Sequence, residues 1–300
     1  MRSAKDAVRL PRLRQFHRPP SRRVGLVLLG MLCMVMSAAP AQAASVTYVA
    51  IGDSYSSGEG TRSYDAGGGQ CHRGSLAWPR RLNALSSRIG PIRHRACTGA
   101  TSLDLFRTYK GTIQVVPSKP DRSVGLVTVT IGGNDVNFRG LVQNCFALIR
   151  IDCLSSSHMW DYQNSVDRLR ARLINTVYPK LRAAFPKAVI VHVGYPEITP
   201  EPGKTPVRCG WLSKAEQNRI GMAARYLNNS LKIAAGESRK GIRFVPTLDT
   251  LDGHELCTAN SWVVPIRGLT SIYGTEQAHP TSAGQLAIAK AVQRPIHALL

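Results

Sequence analysis

The chain has 300 residues, 43% of them hydrophobic, with 39 Lys plus Arg against 18 Asp plus Glu for a formal charge of +21. That length and apolar fraction suit an ordinary globular core and exclude collagen-like, coiled-coil and disordered classes. A basic excess of this size raises nucleic acid as a partner, to be weighed against the rest of the sequence.

The chain opens with Arg2, Lys5, Arg9, Arg12, Arg14, Arg18, Arg22 and Arg23 against the single acid Asp6. The 13-residue apolar run Val24–Met36 and then Ala41-Gln42-Ala43 follow. Basic, apolar and small-residue regions in that order predict a signal peptide over 1–43 and a secreted, extracellular protein. The apolar run is too short for a bilayer core, which needs about 20 residues of helix. Arg22-Arg23 leaves a twin-arginine export route open beside the general one. The expected mature domain, 44–300, carries 31 bases against 17 acids, a net +14, and no transmembrane segment.

Along that domain, strands are predicted at Val46–Ile51, Ile92–Ala96, Val124–Ile131, Val189–Val193 and Ile242–Val245. Several are nearly continuous apolar runs, the pattern of strands covered on both faces. Between them Val166, Leu169, Leu173, Val177 and Leu181 step along one helical face that ends near Pro186. Ser213 with Glu216 three residues later announces a capped helix running towards Gly236. A last helix is predicted from about Pro280, carrying Leu286, Ala289 and Ile296. Strands alternating with helices imply an α/β fold of three layers, a parallel sheet with helices on both faces. Ligands in such sheets sit beyond the carboxyl ends of the strands, so chemistry is sought just after each run.

Six cysteines remain after the leader: Cys71, Cys97, Cys145, Cys153, Cys209 and Cys257. None forms a CxxC pair, which argues against a zinc site or redox dithiol, and no metal or cofactor is expected. An even number in an exported chain suits disulfides. Six allow fifteen pairings, of which the sequential one is the simplest.

The first strand runs into Gly52-Asp53-Ser54-Tyr55-Ser56-Ser57-Gly58-Glu59-Gly60, which sets a serine on a rigid strand tip among glycines. The second precedes Cys97-Thr98-Gly99-Ala100-Thr101 and the third ends in Gly132-Gly133-Asn134-Asp135. Backbone N–H groups at Ser54 and Gly99 with the Asn134 amide form a candidate oxyanion hole. Near the end, His279 precedes Pro280 and is the candidate general base, because a serine hydroxyl needs a neighbouring imidazole to take its proton.

Ser54, Gly99, Asn134 and His279, in that order, resemble the hallmark residues of the SGNH or GDSL hydrolase superfamily. The stretch from Val49 to Gly60, the six cysteines and Gly253-His254-Glu255-Leu256-Cys257 are similar to secreted actinobacterial GDSL esterases and lipases. The resemblance implies a flavodoxin-like five-stranded sheet of order 2-1-3-4-5, metal-free hydrolysis of carboxylic esters, and three sequential disulfides. One position departs from it: the family places Asp three residues before the histidine, where this chain has Glu276. Glu276 is the candidate orienting acid by its side chain, with a backbone carbonyl as the other arrangement found in this branch. Asp135 is read as a brace for the Asn134 loop.

Ester or lipid is thus the expected substrate of an expected monomer. A phospholipase or a polysaccharide O-acetyl esterase on the same machinery is the alternative, with Trp160, Trp211, Trp262 and Tyr273 as candidate pocket aromatics. From a different class, a non-catalytic basic glycan-binding module has only the charge behind it. The bases are scattered and no nucleic-acid motif accompanies them, so nucleic acid is set aside and weak attraction to anionic surfaces remains.

Overall fold

A computed structural model of the protein describes residues 45–145, 155–200, 212–266 and 274–300, with 143–145 as backbone. The expected signal peptide lies outside the described residues. Five parallel strands, β1 (Val46–Gly52), β2 (Ile89–His94), β3 (Val124–Thr130), β4 (Val189–Val193) and β5 (Ile242–Val245), line up in the order β2-β1-β3-β4-β5. The strand order reverses beside β1, which places the crevice for a ligand at the ends of β1 and β3.

Alternation along β1 builds the layers. Val49 and Ile51 face one side with Val127 and Val129 of β3, where they meet Val166, Leu169, Leu173, Leu181, Leu227 and Leu231. Those leucines come from α4 (Ser156–Arg172), α5 (Tyr178–Ala184) and α6 (Lys214–Glu237), with one π-helical turn, Leu173–Val177, joining α4 to α5. Tyr48 and Ala50 face the other side and pack on Trp78 and Leu82 of α2 (Trp78–Ala84) and on Ile288, Val292 and Ile296 of α7 (Ser282–Leu299). A period of two sends adjacent side chains to opposite faces, so one short strand feeds both cores. Each fully buried Leu or Ile contributes about 1.5–3 kcal/mol.

Several boundaries differ from the sequence prediction: β1 runs on to Gly52, β2 stops at His94 and β3 at Thr130, and two starts move. The second strand starts at Ile89 rather than Ile92, running through Gly90-Pro91. β2 is an edge strand and its pairing with β1 shifts register between Val46 and Tyr48, so the amide that Pro91 lacks is not missed. The last helix begins two residues after Pro280, because the Thr281 side chain accepts from Gly284 N–H and takes the N-cap. The helix expected after Ser213 forms with a complete capping box: Ser213 Oγ accepts from Glu216 N–H (3.3 Å) and the Glu216 carboxylate accepts from Ser213 N–H (2.7 Å).

Cys71 and Cys97 are joined across 26 residues, and Cys257 is disulfide-bonded. Of the remaining sequential pairing, Cys153, Cys209 and the side chain of Cys145 lie outside the described residues. No described helix is long and apolar enough to cross a membrane.

Candidate active site

Gly52 ends β1 at φ +134°, and a Cβ there would lie 2.2 Å from the Thr130 carbonyl, so only glycine lets β1 turn this close to β3. Asp53 then caps a four-residue helix, α1 (Ser54–Ser57), with Oδ1 accepting from Tyr55 N–H at 3.0 Å. Ser54 is the first residue of that helix and is 7% exposed. At the far end of the chain, residues 278–280 are pinned to the segment 263–264 by an isolated antiparallel bridge. Val264 N–H donates to the His279 carbonyl (2.9 Å) and Ala278 N–H to the Val264 carbonyl (3.1 Å).

These two segments bring Ser54 Oγ to 2.7 Å from His279 Nε2. The other ring nitrogen, Nδ1, lies 3.0 Å from the Gln277 carbonyl oxygen. A carbonyl only accepts, so Nδ1 carries the proton and Nε2 is left to accept from the serine hydroxyl. Burial pushes the His279 imidazole below its usual range, against a counter-pull from Glu59, so the ring is neutral and able to accept a proton at neutral pH. The Tyr55 hydroxyl donates to the Ala278 carbonyl at 2.9 Å, and its ring leans on His279 with centroids 5.2 Å apart.

The Glu276 carboxylate is turned away from the histidine, which corrects its expected place as orienting acid. It accepts from Arg62 Nε at 3.1 Å and from the Tyr64 hydroxyl, while its main-chain carbonyl accepts from His279 N–H at 3.1 Å. The cause lies in the backbone. Gly274–Glu276 is a turn of 3₁₀ helix and Ala278 adopts φ +64°, which folds the chain back so that Gln277, not Glu276, presents an oxygen to the ring. Glu276→Gln should leave kcat/KM within about threefold, since what is lost is the charge of an ion pair to the half-exposed Arg62, worth less than about 1 kcal/mol and remote from the histidine ring. A rate assay at neutral pH checks this, and a hundredfold fall would restore the side chain as orienting group.

Ser54, Gly99, Asn134 and His279 all line one crevice beyond the strand ends. Asn134 Nδ2 donates one hydrogen to the Ala100 carbonyl at 2.9 Å, which fixes the amide plane and leaves the second hydrogen for a ligand. Gly99 holds φ +80° with Tyr109 Oη 2.8 Å from where a Cβ would stand. Asp135 braces both loops at once, accepting from Ser102 N–H (2.8 Å), Ser102 Oγ (2.6 Å) and Arg172 (2.8 Å).

Two further groups carry weight that the sequence alone did not reveal. Tyr195, two residues beyond β4, accepts from Gly133 N–H at 3.0 Å and donates to the Asp53 carboxylate at 2.5 Å, linking the Asn134 loop to the cap of α1. Burial raises the Asp53 carboxyl to about 7 despite these donors. Glu59 is fully buried behind the site. Its position five residues after Ser54 was visible, and its burial was not. The walls beyond Ser54 are largely apolar: Phe138 and Val142 of α3 (Phe138–Cys145), Ala224 and Leu227 of α6, and Pro196 and Ile266, with Arg139 among them. Of the candidate aromatics, Trp160 is 64% exposed and Trp262 stacks on His254 with centroids 3.5 Å apart, while Trp211 and Tyr273 lie outside the described residues. Among the described residues no three His, Cys, Asp or Glu cluster as metal ligands would.

The profile of the GDSL-like Lipase/Acylhydrolase family matches residues 50–287. The chain is 32% identical over 252 residues to Lipase 1 of Streptomyces coelicolor, covering 83% of this chain and 87% of that protein. Among solved structures, an extracellular lipase from Streptomyces rimosus superposes with a TM-score of 0.62 at 28% identity, over 85% of this chain and 100% of that one. Phospholipase A1 from Streptomyces albidoflavus superposes with a TM-score of 0.63 at 29% identity, over 85% and 99%.

Proposed function

This chain belongs to the GDSL-like lipase/acylhydrolase family and is a carboxylic ester hydrolase, and from that premise we propose that it works through an acyl-serine intermediate on esters with an extended apolar acyl chain. The observation that carries the reading is the 2.7 Å contact between Ser54 Oγ and His279 Nε2 in a crevice shared with Gly99 and Asn134. As Oγ bonds to the ester carbonyl carbon, its proton passes to Nε2. The negative charge moves to the carbonyl oxygen, where the Asn134 amide and the N–H groups of Ser54 and Gly99 receive it. Collapse breaks the bond to the alcohol, which takes the proton from His279. Water then enters by the same path: its oxygen bonds to the acyl carbon as its proton passes to His279, and collapse breaks the bond to Ser54 Oγ, which takes that proton as the acid leaves.

The apolar wall of Phe138, Val142, Leu227 and Ile266 supports an acyl chain longer than acetyl. Each buried methylene is worth about 0.8 kcal/mol, or roughly fourfold in kcat/KM. A series of p-nitrophenyl esters should therefore rise by more than tenfold from acetate to hexanoate. A flat or falling series, or faster release of acetate from acetylated xylan, would remove the long-chain assignment. Arg139 in the same wall, with the likeness to a phospholipase A1, favours phospholipid as a second substrate class. Export with loss of residues 1–43 belongs to the same proposal, supported by the likeness to an extracellular lipase.

A further inference from the structure

A carbonyl oxygen orients His279, yet it supplies a dipole where a carboxylate would supply a full charge. The ring is buried, and burial disfavours the imidazolium that must form when Ser54 attacks. The groups around it are Asp53 and Tyr55 from the α1 turn, Arg139 from α3, Tyr195 beyond β4, the main chain of Glu276 and Gln277, and Glu59 from behind.

Glu59 is 0% exposed. Its N–H donates to the Ser54 carbonyl at 3.1 Å, so the same turn that presents the nucleophile carries it. The next residue, Gly60, runs so close to the histidine that a Cβ there would lie 3.0 Å from His279 Cβ and 2.7 Å from the Pro280 carbonyl. The carboxylate accepts from Thr275 Oγ1 (2.5 Å), from Thr98 and from His72 Nδ1 (2.8 Å). Among the described residues no Lys or Arg pairs with it. Burial alone would raise its carboxyl, but the attraction of the His279 imidazolium together with these partners outweighs that and holds it below the usual carboxylate range, so it is ionised when the imidazolium forms. A carboxylate buried this deeply with no Lys or Arg partner is costly to fold, and such groups gather where a charge develops during turnover.

We propose that Glu59 is the counter-charge of His279: a positioning residue that stabilises the imidazolium across the protein interior in place of the side-chain carboxylate that Glu276 does not provide. The proposal rests on Ser54 and His279 acting as assigned above. The proton taken from Ser54 stays on Nε2 until the alcohol leaves, and Glu59 remains ionised throughout, accepting no proton.

The test is Glu59→Gln in the mature, oxidised protein, with kcat, KM and the pH profile measured. Gln keeps the shape and removes the charge. We expect kcat to fall about ten- to hundredfold with KM within twofold. The acid limb of kcat/KM should move to lower pH, because without the anion His279 holds its proton less tightly. Glu59→Asp keeps the charge but withdraws it by one methylene, and should give a smaller fall and a limb between the two. If Glu59→Gln fails to fold, the Asp variant alone decides. A wild-type kcat with an unmoved limb in the variant that folds overturns the proposal. Near-normal turnover by Ser54→Ala or His279→Ala would instead overturn the reading beneath it, so the two failures are distinguishable.

Discussion

Ser54→Ala should lower kcat by on the order of 10⁴–10⁶ while the protein still folds, because the acyl-serine route opens with the bond from that one oxygen to the ester carbonyl carbon. The fold should tolerate the change. Ser54 sits at the start of α1, whose cap is the Asp53 carboxylate on Tyr55 N–H and whose exit is the left-handed Gly58, and neither depends on the serine hydroxyl. The truncation leaves His279 Nε2 without its 2.7 Å partner, a cost of roughly 1 kcal/mol if water cannot reach it. Circular dichroism and thermal melting of the variant beside its rate separate the two effects. Activity within tenfold of wild type would remove the nucleophile assignment.

Asn134→Ala should cost about 10²–10³ in kcat, or about 2.7–4 kcal/mol of transition-state stabilisation, with little change in KM. The amide has one hydrogen committed to the Ala100 carbonyl, so its plane is fixed before substrate arrives and no reorganisation is needed when charge develops. Two other contacts keep the loop in place in the variant: Gly133 N–H on Tyr195, and Asp135 on Ser102 and Arg172. The loss should therefore appear in kcat rather than in stability. A fall under tenfold, or one expressed wholly in KM, would count against the oxyanion role.

How far the sequence could be read depended on whether a property is local. β4 and β5 fall at the predicted residues because short, mostly apolar runs bounded by Pro186 and Gly194, and by Gly241 and Pro246, define their own ends. The start of β2 escaped because Pro91 reads as a breaker, and its tolerance comes from an edge position and a register shift that exist only after pairing. Serine, asparagine and histidine could be assigned to one crevice because each follows a strand or opens a helix, and the fold class alone brings such ends together. Glu276 could not be placed that way. Whether its carboxylate or the Gln277 carbonyl meets the ring depends on the positive φ of Ala278, and no residue type there demands it. Glu59 and Tyr195 were missed for a related reason. Their importance lies in burial and in partners 13 to 216 positions away, such as Asp53 for Tyr195 and Thr275 for Glu59.

The central claim, an activated serine at position 54, is tested most directly by reacting the mature protein with a serine-directed organophosphorus probe and mapping the adduct by mass spectrometry. One adduct per chain on the peptide containing Ser54, formed faster above the pH at which His279 loses its proton and absent in Ser54→Ala, is the predicted result. An active enzyme that takes no label, or takes it on another residue, would contradict the account.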